Sequence, residues 1–246
     1  MKSQERHKLK ENAFANTVVH AREAIAARQR DIVWAVAVVV GLLAIVGGYA
    51  WWRQSTAGRG TELFATALAV YQAPVIPLPP PTPGGAPPVP QPGTYVTEQA
   101  KLEAALPKFI EAADKYPSTS SGIAARYHAA SILATLGRYG EAEQRFQEVV
   151  AKAGTTLYAR TGRLGLAETQ VAQKKYDSAI TIYTEMSRDT SSQMPVDGVL
   201  MQLGRACALA GRKEEAVRAF TRVTEEFPTS LYATDAKREL EGVRKS

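Results

Sequence analysis

Cysteine and histidine are nearly missing: 246 residues hold one cysteine, Cys207, and three histidines, His7, His20 and His128. A single thiol closes no intramolecular disulfide, and so few Cys and His do not make the ligand set of a metal site. A concentrated charge of one sign is missing too. The net charge is +6, yet residues 1–31 carry seven Lys and Arg against four Asp and Glu, and beyond Trp52 there are 23 basic and 20 acidic side chains. Phosphate binding needs a clustered excess, so nucleic acid is excluded as a partner. No nucleophile elbow, H-E-x-x-H, phosphate loop or dinucleotide glycine motif occurs. His128 has no orienting partner signalled nearby, and Cys207 sits in the Ala-rich GRACALAG stretch, where a small buried apolar residue is expected. The sequence therefore predicts no enzyme and no cofactor.

Charge is also missing from residues 32–52, 21 positions bounded by Asp31 and Arg53. As a helix this run is roughly 32 Å long, matching a bilayer's hydrocarbon core. Ten of its residues are Val, Ile or Leu. They favour insertion by something on the order of 3 to 6 kcal/mol, with no ionised group opposing. Trp34 lies near one end and Tyr49, Trp51 and Trp52 near the other, where interfacial aromatics belong. An uncharged run of this length is uncommon in a globular core, and bulky Trp51 and Trp52 directly after Gly48 and Ala50 do not suit a signal-peptidase site. Lys2, Arg6, Lys8, Lys10, Arg22, Arg28 and Arg30 precede the run, whereas only Arg53 and Arg59 follow closely. The positive-inside rule then places residues 1–31 in the cytoplasm and the C-terminal part outside. Phe14, Val18, Ala21 and Ile25 mark one face of a predicted helix ahead of the span, read as a solvated extension rather than a lipid- or partner-binding stripe.

Between residues 74 and 93 ten of twenty residues are proline, so neither helix nor strand propagates there. The stretch is expected to be a polyproline II spacer, at most ~60 Å long at ~3.1 Å per residue. P-x-x-P occurs at Pro74 to Pro77 and Pro77 to Pro80, a spacing that any proline tract produces.

Beyond the tract a period of 37 emerges. Alanine recurs at Ala105, Ala142, Ala179 and Ala216, and four residues on an aromatic recurs at Phe109, Phe146, Tyr183 and Phe220. Ala112, Val149, Met186 and Val223 follow three positions later; Ala130, Ala167 and Gly204 form a small-residue column, and Gly137, Lys174 and Gly211 a turn column. Each period reads as helix, tight turn, helix, the small residue admitting the partner helix and the aromatic filling the space between them. The segments YHAASILATLGRYGEAEQRFQEVV and LMQLGRACALAGRKEEAVRAFTRVTEEFP carry the pattern most fully and resemble the tetratricopeptide repeat. Three units are identified, 123–154, 160–191 and 197–228, with Lys174 departing from the usual glycine. Residues 98–116 fit the second helix of an earlier unit whose first helix, residues 61–72, is separated from it by the inserted tract. After Pro228, Ser230 is placed to cap a terminal helix with Ala233, Ala236, Leu240 and Val243 facing inward.

The expected architecture is all-α: residues 1–31 basic and cytoplasmic, 32–52 transmembrane, 53–73 a stalk with the first repeat helix, 74–93 a proline-rich linker, and 94–246 an α-solenoid of antiparallel helix pairs. In the repeat family the first helices line a concave face on which extended peptides lie. Mapping that face gives Tyr127, Ser131 and Thr135, then Leu164, Glu168 and Val171, then Met201, Arg205 and Ala208. Inter-repeat packing competes with ligand contact at each of them, and Arg205 is nearly alone as a cation, unlike the clusters that clamp a terminal carboxylate.

The order of parts, together with boundaries such as KYPSTSSGIAARYHAA, resembles the ancillary SecYEG translocon subunit family over about residues 28–243. That resemblance implies a bacterial inner-membrane protein with a periplasmic repeat domain beside the secretion channel, receiving unfolded or translocating chains and meeting periplasmic chaperones. YPSTS and FPTSLYATDA also resemble repeat lipoproteins of outer-membrane assembly and of the Tol-Pal division machinery, which implies an envelope scaffold as the alternative; no lipobox cysteine supports it.

Overall fold

The computed structural model describes residues 29–79, 89–189 and 195–245. Among these are nine helices: α1 (Gln29–Tyr71), α2 (Glu98–Lys115), α3 (Ser120–Thr135), α4 (Tyr139–Lys152), α5 (Leu157–Ala172), α6 (Tyr176–Arg188), α7 (Val196–Leu209), α8 (Lys213–Glu226) and α9 (Ala233–Lys245). The expected stripe from Phe14 to Ile25 lies outside the described residues. The chain divides into two compact units, Met1–Ser55 and Thr56–Ser246.

In the first unit the described residues are helical, and the large aliphatic and aromatic side chains from Val33 to Trp52 are exposed, Ile45 at 68% and Trp51 at 73%. A core helix of a soluble domain hides such a surface; here none of it is covered. This helix is long and apolar enough to cross a membrane.

The second unit is an all-helical solenoid built from the repeating columns. In α4, Ala142, Phe146 and Val149 fall at i, i+4 and i+7 and are buried, as are Ala179, Tyr183 and Met186 in α6 and Ala216, Phe220 and Val223 in α8. Ala105, Ala142, Ala179 and Ala216 are each fully buried, as close helix approach requires. Burial of Phe109, Phe146 and Phe220 stabilises each unit by about 1.5–3 kcal/mol per ring. The turn column closes each first helix with a left-handed residue: φ is 75° at Gly137, 62° at Lys174 and 75° at Gly211. The same hydrogen bonds recur, Arg138 N to Leu133 O, Lys175 N to Gln170 O and Arg212 N to Cys207 O, each 2.8 Å. This is a helix C-cap with its usual glycine replaced by lysine in the middle unit.

Leu63, Phe64, Ala67 and Tyr71 of α1 pack into the same cluster as Phe109 and Leu133. The proline tract leaves from this helix and returns. Ile76 N donates to Tyr95 O at 2.8 Å and Tyr95 N donates to Pro74 O at 3.0 Å, a parallel bridge between Val75 and Tyr95. The ends of the tract are pinned together, because the helices either side of it pack on one core. Residues 80–88 lie outside the described residues.

Among the described residues Arg126 is the buried cation, 3% exposed. Nη2 donates to Ala113 O at 3.0 Å and lies 3.4 Å from Asp114 Oδ1, while Nε lies 2.8 Å from Glu148 Oε2 without hydrogen-bond alignment. It joins α2, α3 and α4, and Arg145 completes the group at 2.6 Å from Asp114. At the far end Ala233 and Ala236 of α9 are buried and Leu240 and Val243 pack partly, so this helix covers an apolar face a solenoid end would otherwise expose.

Candidate functional site

A cleft of about 350 Å³ opens within the second unit between α3, α4 and α5. Tyr127, Ser131 and Thr135 recur at four-residue spacing along one face of α3, and Thr161, Leu164 and Glu168 present the corresponding face of α5. Tyr139 and Phe146 of α4 supply the floor. Five of the nine positions mapped from sequence thus meet in one concavity: Tyr127, Ser131, Thr135, Leu164 and Glu168.

The walls are held from behind by aromatic contacts. The Tyr127 ring lies 6.0 Å edge-on from Phe146 and 5.5 Å from Tyr158. Gly165 faces the Phe146 ring, and a β-carbon there would meet its Cε1 and Cζ at 2.5 Å. One period earlier His128 stands in the same column and stacks on Phe109, centroids 5.1 Å apart and 18° between planes. Burial among Phe64, Tyr71, Phe109 and Tyr127 pushes the His128 imidazole below its ordinary pKa, which favours the neutral ring, and it acts as packing.

The polar groups of the cleft differ in how far they are satisfied. Ser131 Oγ donates to Tyr127 O at 3.0 Å and Thr135 Oγ1 to Ser131 O at 3.0 Å, each turned back onto its own helix. Thr169 Oγ1 likewise donates to Gly165 O. Glu168 stands apart: desolvation alone acts on its carboxyl and raises it above the usual carboxylate range. Its negative charge also adds to burial in raising the buried Tyr183 hydroxyl.

The other mapped positions lie elsewhere. Met201 is 1% exposed in the cluster that also holds Ala236 of α9, with Val171 and Ala208 packed against it. Arg205 Nε lies 3.2 Å from Glu239 on α9. The terminal helix thus engages the third unit's positions, so Met201 is a packing residue and Arg205 a cation with a partner. Sequence reasoning missed Tyr139, Phe146, Thr161 and Gly165 as cleft residues. The available signal was the 37-residue column linking Gly165 to His128, which marks a place where one unit lacks a side chain that another has.

Cys207 is buried, and its thiol is pushed up to about 11 by burial and by Glu215, so it stays protonated. Among the described residues no three His, Cys, Asp or Glu side chains are grouped to hold a metal.

Comparison with known proteins gives one consistent answer. Residues 28–197 match the tetratricopeptide repeat-like domain, and residues 199–230 match the tetratricopeptide repeat. No curated protein matches the chain. Among solved structures, the repeats of a Podosopora anserina protein described as a kinesin light chain are similar at 15% identity, over 60% of this chain and 79% of that one, with a TM-score of 0.53. A repeat protein from Parabacteroides merdae is similar at 16% identity, over 60% of this chain and 56% of that one, with a TM-score of 0.50.

Proposed function

We propose, since this chain belongs to the tetratricopeptide repeat-like domain family, that it is a membrane-anchored protein-interaction module whose cleft between α3 and α5 receives an extended polypeptide. The observation that carries this reading is the convergence of Tyr127, Ser131, Leu164 and Glu168 from two successive first helices on one open concavity, floored by Phe146. An apolar cleft with a few polar groups and rigid aromatic walls suits a chain that offers side chains in turn. The exposed apolar helix at Val33–Trp52 supports anchoring, and the excess of Lys and Arg before it supports an orientation with the repeats outside the cytoplasm. In that setting the partners are unfolded or translocating chains, or chaperones, beside the secretion channel of a bacterial inner membrane. Tethering raises their local concentration, so weak binding suffices.

The test is a photo-crosslinking residue placed at Thr135 on the cleft or at exposed Arg218 on α8, outside the cleft, in membranes carrying the intact chain. Crosslinks to unfolded secretory chains are expected from the cleft position and not from the other. They should be lost when Tyr127 and Leu164 are both changed to Ser while circular dichroism shows the helices intact. Crosslinks from Arg218 alone, unaffected by the double substitution, overturn the cleft reading.

A further inference from the structure

The geometry points to Glu168 as the residue that selects what this cleft takes: an extended polypeptide segment bearing a lysine or arginine, whose cation pairs with the Glu168 carboxylate against the aromatic wall. This rests on the cleft reading above and adds a specificity to it.

The first support is charge complementarity. No Lys or Arg contributes to the cleft walls, and Glu168 is the one charged group there. Several other carboxylates of the repeats have cations: Glu143 lies 2.6 Å from Lys175, Glu141 2.6 Å from Arg138, Asp114 2.6 Å from Arg145 and Asp177 3.1 Å from Arg212. For Glu168, desolvation is the single influence on the carboxyl, with no hydrogen bond or cation opposing it. The neighbouring Tyr183 hydroxyl is buried and protonated, so it supplies no charge. Arg205, the one cation among the positions mapped to the concave face, is held by Glu239. Glu168 is exposed in the cleft, so its charge is open to a ligand: an entering cation is attracted to it and an entering anion repelled.

The second support is the wall itself. Tyr127, Tyr139 and Phe146 line the same space, and ring faces attract ammonium and guanidinium groups. Leu164, Ala134 and Ala172 offer apolar surface for the aliphatic stem that Lys and Arg carry behind their charge. The volume of about 350 Å³ is at the low end of ligand cavities, suited to one long side chain rather than to a folded partner.

The experiment uses the full chain in detergent micelles and three fluorescent unfolded peptides that differ only at a central Lys, norleucine or Glu. Fluorescence anisotropy should give a Kd for the Lys peptide roughly five- to tenfold below that for norleucine, with the Glu peptide weakest. The preference should shrink as salt is raised. Glu168→Gln, nearly isosteric, should equalise Lys and norleucine; Glu168→Lys should reverse the order. Equal binding of all three peptides by the natural chain, at low salt, overturns the cation selection and leaves the cleft reading standing. Binding of none of them overturns both. A preference for Lys that survives in Glu168→Gln assigns the selectivity to another residue and overturns the proposal.

Discussion

Gly204 on α7 lies against the ring of Phe220 on α8 so closely that a β-carbon would meet its Cδ1 and Cζ at 2.7 Å. The same approach joins Gly165 of α5 to Phe146 of α4. Phe220 is fully buried and its ring has nowhere to retreat. Gly204 and Phe220 therefore form a tight contact between the two helices of the third unit.

Gly204→Ala is expected to destabilise the repeats by about 1–3 kcal/mol through overpacking, read as a lower midpoint in chemical denaturation. Adding Phe220→Leu should recover part of that loss. Gly140→Ala is the control: a β-carbon there meets nothing within 4 Å, and helix propensity predicts a gain of up to about 1 kcal/mol.

Lys174 holds a φ of 62° where Gly137 and Gly211 stand in the other units. The left-handed conformation costs a residue with a β-carbon roughly 1–2 kcal/mol, part of which glycine returns through its freer unfolded state. Lys174→Gly should raise stability by about 0.5–1 kcal/mol, measured by urea unfolding. An unchanged midpoint would show that the strain is relieved elsewhere in the turn.

Two carboxyls respond to pH in opposite senses. The hydrogen bond from Arg145, joined by the charges of Arg145 and Arg126, holds Asp114 below the ordinary aspartate range. Its contribution to stability is present above that range and is lost as pH falls through the lowered value, so Asp114→Asn should cost stability at neutral pH and flatten the acid limb. Burial raises Glu168, so its contribution is present below the ordinary glutamate range and is lost as pH rises through the raised value. Because Glu168 is exposed the effect is small: Glu168→Gln should slightly stabilise the neutral-pH form and make little difference in acid. Thermal unfolding of both variants from acid to neutral pH checks the two signs together.

Alkaline phosphatase fused after Ser246 should be active, and protease added to spheroplasts should remove the repeats; a protected repeat domain reverses the orientation. Moving several Lys to follow Arg53 while neutralising Arg28 and Arg30 should give mixed topology.

The 37-residue columns made the helix pairs legible from the sequence, because the side chains that fill a helix crossing recur wherever the crossing does. Ala105, Ala142, Ala179 and Ala216 marked the contacts, and Gly137, Lys174 and Gly211 marked the turns. The apolar run at residues 32–52 was equally plain, since length and the lack of charge are one-dimensional properties. The cleft was legible only in part. Periodicity assigns Tyr127, Leu164 and Met201 to one column, but burial depends on what packs over each position, and α9 engages the third unit. Val171 packs against the same core. The pinning of Pro74 and Ile76 to Tyr95 was invisible as well, because proline composition sets local stiffness while the return of the chain is decided by α1 and α2 sharing a core. Sequence alone determined which residues repeat and which segment is long and apolar enough to cross a membrane; the tertiary structure decided which repeating positions stay open, because accessibility is a property of neighbours and not of a residue's own chemistry.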